Sequence, residues 1–173
     1  MQLTHAVDFT FALTLSQVAA VDFVRDVEKS LSKATFIEDL ESTGNIVTAS
    51  LPVNAALFGQ QLLHFRSKLV PTVKGARLEP LPLDTDPAEE KQVGWAEVAG
   101  EALVKPLPQG SEVTYHFDIT IHLLLPKAEK WGGKALTRMI EFTAKHVLET
   151  ITSGFPKAVQ EAAKEVEKAY SQL

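Results

Sequence analysis

Residues 110–125 alternate apolar and polar side chains over their whole length and then run into Pro126, and this stretch limits what the chain can become. Val113, Tyr115, Phe117, Ile119, Ile121, Leu123 and Leu125 share one face, while Thr114, His116, Asp118, Thr120 and His122 share the other. Period-2 patterning of that length specifies a half-buried antiparallel strand. Its apolar face needs a cover, and the helical periodicity that follows, running to the C-terminus, supplies one.

The rest of the chain repeats the theme. Residues 3–13 alternate, with His5, Val7, Phe9, Phe11 and Leu13 on one face. Ser16 has the character of an N-cap for an amphipathic helix over 17–33, where Val18, Val21, Val24, Val27 and Leu31 recur at helical spacing. Residues 35–40 and 45–58 form a predicted hairpin about Gly44-Asn45, with Val47, Ala49, Leu51, Val53 and Leu57 on one side. Pro52 marks an edge or a bulge there, because it lacks the ladder donor. Further strands are predicted at 61–70, with Leu63, Phe65 and Leu69 on one face, at 76–81, and at 94–104, with Ala96, Val98, Gly100, Ala102 and Val104 inward. Residues 82–93, with Pro82, Pro87, Asp84, Asp86, Glu89 and Glu90, are an exposed loop, and 106–110 a hairpin connection. The order is strand, helix, about six strands and a final helix. That is α+β, with a curved antiparallel sheet of about six to seven strands, as a single domain over 1–173.

A straight helix over 133–172 would be about 60 Å long. A compact chain of 173 residues is only roughly 40 Å across. The helix must therefore bend, break or protrude, and Ser153-Gly154-Phe155-Pro156 is the predicted hinge. Leu136, Met139, Ile140, Thr143, Val147, Thr150 and Ile151 form a stripe before it, continued more weakly by Val159, Ala162, Ala163, Val166 and Tyr170. The first half is expected to carry the packing.

A net charge of −5, a pI near 5.5 and thinly spread basic residues oppose binding to nucleic acid or an acidic membrane surface. Zero cysteines exclude disulfides, thiolate metal sites and cysteine nucleophiles. Residues 1–10 lack a signal-peptide pattern, and no apolar run approaches the ~20 residues of a membrane span, so a cytoplasmic chain without an integral membrane segment is expected.

Chemical motifs are sparse. His116, Asp118 and His122 share a strand face, but at ~3.3 Å per residue the two histidines lie about 20 Å apart and cannot hold one ion. Glu97 and Glu101 are about 13 Å apart by the same rise, too far for paired acid–base work. Gly132-Gly133-Lys134-Ala135 lacks the spacing of a phosphate loop and reads as a helix start. No metal or cofactor is nominated. Polar groups on apolar faces stand out instead: His5 beside Val7, Phe9 and Phe11, Tyr115 beside Phe117 and Ile119, and His146 at the margin of the helix stripe. Trp95 and Trp131 sit at a strand start and a helix entry, where they line a cavity mouth or close the core edge.

This order, with residues 100–126 followed by Gly132-Gly133, Leu136, Ile140 and Val147, resembles the START-like or SRPBCC superfamily, the helix-grip fold, in its polyketide cyclase-like members. The resemblance implies a sheet wrapped around a long C-terminal helix with a deep cavity between them, and it carries over no catalytic residue. The cavity-lining candidates are His5, Phe9, Phe11, Phe65, Tyr115, Phe117, Ile119, Met139, Ile140, Thr143, His146 and Val147. Three readings stay open. The leading one is a carrier for a small hydrophobic molecule, lipid-like or aromatic. The second is a cyclase- or dehydratase-like enzyme in which His5, Tyr115 or His146 transfers a proton. The third is a protein-interaction module or homodimer using the sheet's outer face or the far half of the last helix.

Overall fold

The computed structural model describes residues 1–55, 59–124 and 133–173. Expectations for Leu57, Leu125, Pro126, Trp131 and Gly132 lie outside the described residues. The elements run β1 (Gln2–Leu13), α1 (Gln17–Arg25), α2 (Val27–Ser30), β2 (Glu38–Thr43), β3 (Ile46–Ala55), β4 (Gly59–Thr72), β5 (Gly75–Pro80), β6 (Gly94–Leu107), β7 (Gly110–Leu123) and α3 (Gly133–Ser171).

All seven strands join one curved sheet in the order β1-β7-β6-β5-β4-β3-β2. Neighbours are antiparallel, with one parallel contact, His64 to Trp95, where β4 and β6 meet directly. The strand that dominates the sequence sits between β1 and β6 and is laddered along its whole length on both sides. Its face assignment holds, because Val113, Tyr115, Phe117, Ile119, Ile121 and Leu123 are all buried. Each such burial contributes roughly 1.5–3 kcal/mol. Pro52 lies past Ser50, the last residue of β3 paired to β2, so its missing donor falls on an edge as expected.

Four local expectations change. The helix predicted over 17–33 is two pieces, because Asp26 leaves the helical region with φ −92° and ψ 87°. Its backbone N–H closes α1 while its side chain accepts the Lys29 N–H at 3.0 Å to open α2, the competition with helix that aspartate is prone to. The stripe also rotates: Ala19, Ala20, Phe23 and Val24 are buried, and Val18 is 73% exposed. In the 106–110 connection, Pro106 and Leu107 extend β6, leaving a two-residue turn, Pro108-Gln109, before Gly110 at φ 107°. The hairpin strand predicted from residue 35 begins only at Glu38, and its pairing is irregular between Glu38 and Glu41, beside Asp39 at φ 53°.

The last correction is α3. It runs unbroken for 39 residues through Pro156, a path of about 58 Å at 1.5 Å per residue, so it does not break at the predicted hinge. Its fully buried residues are Ala144, Leu148, Ile151, Phe155, Ala158, Val159, Ala162 and Ala163, so the middle carries the packing and not the first half. Four of these eight are alanines, which let the helix approach the sheet closely but weigh little in a reading by hydrophobic bulk. Gly154 serves the same approach: a Cβ there would stand 3.0 Å from the Phe36 ring.

Candidate functional site

The concave side of the sheet under α3 is filled by aromatic rings. Pairing of β1 with β7 sets Phe9 opposite Tyr115, and the two rings stack at 5.0 Å between centroids. Phe117 continues the row at 5.6 Å from Tyr115, and Phe155 descends from α3 onto it at 4.6 Å, tilted by 46°. Phe36, from the segment between α2 and β2, meets Phe155 at 5.9 Å. These separations are those of favourable offset and tilted aromatic pairs. Gly100 makes the row possible, since a Cβ there would lie 2.4 Å from Phe117 Cδ1 and 2.8 Å from the His116 carbonyl oxygen.

Two small cavities of about 30 Å³ each lie beside these rings. One is apolar and lies between Phe36, Phe65, Phe117, Ile119, Ile151 and Phe155. The other is bounded by Ser30, Ala76, Gly100, Ala102 and Tyr115; Val27, Leu31, Leu78 and Phe117 border both. A volume of that size admits a water or two, since one water needs ~10–15 Å³.

Tyr115, on the wall of the second cavity, is a buried polar side chain set among apolar ones. Tyr115 is 4% exposed, and its hydroxyl lacks a well-formed hydrogen bond among the described residues. The Ser30 hydroxyl stands beside it as a weak hydrogen-bonding neighbour while donating to the Val27 carbonyl, 3.4 Å away. Burial pushes the Tyr115 phenol far above its usual range, and Ser30 opposes that shift. The phenol therefore stays neutral and offers a hydrogen bond rather than a transferable proton.

Of the sequence-nominated residues, Phe65, Tyr115, Phe117 and Ile119 are buried on the concave side. His5, Phe9 and Phe11 occupy the same face of β1 but are half-buried, as are Ile140, Thr143 and Val147 on α3. Met139 is 40% exposed and His146 is exposed, so His146 does not join His5 and Tyr115 in one acid–base group. Phe155, Phe36 and Ser30 were missed. Phe155 was legible as the i+4 successor of Ile151 but was hidden by its place between Gly154 and Pro156.

The convex face is polar and well paired. His116 bonds Asp8 at 2.5 Å and Asp118 at 3.2 Å, and these two carboxylates, Asp8 first, raise its pKa from 6.5. His122 bonds Glu97 at 2.9 Å and stacks on Trp95 at 4.6 Å, which puts Trp95 on the outer face rather than at a cavity mouth or core edge. The alternation of β6, with Ala96 and Val98 inward, requires this. Ser50 and His64 share a hydrogen bond of 2.6 Å, yet Ser50 is only 2% exposed and so out of reach of a substrate. Among the described residues no three His, Asp or Glu side chains converge on a metal position, and no helix is long and apolar enough to cross a membrane.

A family model described as "Protein of unknown function (DUF3809)" matches residues 8–153. Comparison with curated proteins gives no match. Among solved structures, the Zhui aromatase/cyclase from Streptomyces sp. R1128 is 14% identical, with a TM-score of 0.50 over 95% of this chain and 96% of that one. A conserved protein from Geobacillus kaustophilus is 16% identical, with a TM-score of 0.51 over 94% and 96%. The di-domain aromatase/cyclase StfQ of the steffimycin biosynthetic pathway is 13% identical, with a TM-score of 0.50; 99% of this chain covers 53% of that one. At such identities the likeness shows the fold alone, a curved antiparallel sheet gripping a long C-terminal helix.

Proposed function

We propose that this chain, which belongs to the DUF3809 family, binds a small apolar molecule between the concave face of its sheet and α3. The observation that carries this reading is the apolar cavity walled by Phe65, Phe117, Ile119, Ile151 and Phe155, with the half-buried Phe36 set in its outer wall. Its present volume of about 30 Å³ is far below the roughly 150 Å³ that a benzene ring occupies in an apolar protein cavity. A guest must therefore displace a wall. Phe36 is the side chain suited to yield, since it lies on the irregular segment between α2 and β2 and rests against Gly154 and Phe155. Guest binding then exchanges one aromatic ring for another. Similar structures named as aromatase/cyclases support an aromatic guest.

The test is a titration with ethylbenzene, read by methyl NMR at Ile119 and Ile151. A saturable response is expected in the natural chain, and tighter binding in Phe36→Ala, which removes the displaceable wall. No saturable response in either form would overturn the reading.

A further inference from the structure

The sheet has two edges, β2 and β1, and they are protected very differently. At one end β2 is six residues long, carries Glu38, Asp39 and Glu41, and pairs irregularly, all devices that keep foreign strands away. At the other end β1 runs for 12 residues without proline, lysine or a bulge, in a single register from Gln2↔His122 to Leu13↔Ser111. Met1 and Leu123 exchange both backbone bonds: the Leu123 N–H donates to the Met1 carbonyl at 2.8 Å, and the Met1 amino group to the Leu123 carbonyl at 3.0 Å. Bonded pairs alternate in an antiparallel ladder, so the odd-numbered residues of β1 bond β7, while Gln2, Thr4, Ala6, Asp8, Thr10 and Ala12 turn N–H and C=O to the free side. The next N–H in that outward series, at Thr14, donates to Glu167 Oε1 of α3 at 2.6 Å, and residues 2–12 have no such cap among the described residues.

We propose that this edge pairs with the same edge of a second copy of the chain, antiparallel about a two-fold axis at Val7. A row of alternating donors and acceptors is satisfied by another extended backbone, and β1 itself supplies one of equal length. Centred on Val7, the register uses every outward residue of both strands. It sets Gln2 against Ala12, Thr4 against Thr10 and Ala6 against Asp8 of the second copy, with no charge directly opposite a like charge. On the concave face it sets Leu3 against Phe11 and His5 against Phe9, side chains that are only half-buried in the single chain. A contact strip about 40 Å long and about 10 Å deep buries on the order of 800 Å² over both copies, the scale of a weak, reversible dimer. The inference is independent of the guest site.

The experiment follows the natural chain by analytical ultracentrifugation and by amide hydrogen exchange between about 10 and 500 μM. A monomer–dimer equilibrium is expected, with exchange at Thr4, Ala6, Asp8 and Thr10 slowed about threefold or more at the higher concentration, while the odd-numbered amides of β1 are protected at both. Ala6→Pro, which removes an N–H that bonds nothing within the ladder, should keep the β7 amides protected and remain monomeric throughout. Should the proline unfold the chain, the exchange pattern of the natural chain decides alone. A natural chain that stays monomeric would overturn the inference, and so would a dimer that forms without slowing those four amides or that forms equally well in folded Ala6→Pro.

Discussion

Replacing Tyr115 by Phe should stabilise the protein, an unusual outcome for trimming a core side chain. A buried hydroxyl without a partner carries a desolvation cost of about 1–3 kcal/mol, which the folded state alone bears. Removing the oxygen enlarges the adjoining cavity by on the order of 10 Å³, and at about 24 cal/mol per Å³ this offsets only about 0.2 kcal/mol. The ring keeps its stacking on Phe9 and Phe117, since neither contact uses the hydroxyl. The net expectation is a gain of about 1 kcal/mol or more, seen as a higher urea midpoint at unchanged slope and a melting temperature raised by about 2–4 °C. Ser30→Ala should be close to neutral, and the double variant additive. A loss of about 1 kcal/mol in Tyr115→Phe, matched by a similar loss in Ser30→Ala and non-additivity between them, would refute the reasoning by showing that the two hydroxyls bond.

Gly100→Ala should cost about 1–3 kcal/mol in urea unfolding, because the new methyl meets both the Phe117 ring and the His116 carbonyl; a neutral result would mean the Phe117 ring is free to move aside. Asp26→Ala should lose about 1 kcal/mol through the uncapped Lys29 N–H while Asp26→Asn retains most of it, and equal losses in the two would discount the cap. His116 has a folded pKa raised above 6.5, so its pairing with Asp8 and Asp118 adds stability that is complete below pH 6.5 and fades as pH rises through the folded value. NMR titration should place its midpoint above 6.5 and bring it down in Asp8→Asn, and because the ring is exposed the shift should shrink with salt.

The fold was largely legible because its strands are long and one-sided. In β7 every second residue reports the same face, so an error at one position cannot move the whole assignment. Helices were harder. The inner surface of α3 uses Ala144, Ala158, Ala162 and Ala163, and a stripe of small residues is invisible to a search for bulk, which is why Met139 and Val147 seemed to define the face. The break at Asp26 depends on a side chain choosing its own backbone over the helix, and the same residue type sits undisturbed within α1 as Asp22. Tyr115 was recognisable as a polar group on an apolar face, but its surroundings depend on how Val27 and Ser30 of α2 come to border the same small cavity, information that no single segment contains. His5 and His146 show the converse: each borders an apolar stripe, and only the tertiary arrangement separates them.

Pairing of β1 with β7 has a consequence for synthesis. His5 faces Ile119 and Phe9 faces Tyr115, so the earliest strand to leave the ribosome must await the latest one before its backbone finds a partner. Throughout translation Phe9 and Phe11 travel on an unpaired ribbon, the condition under which nascent chains associate with one another or recruit chaperones. Closure of that ladder should be the slow, late event in maturation.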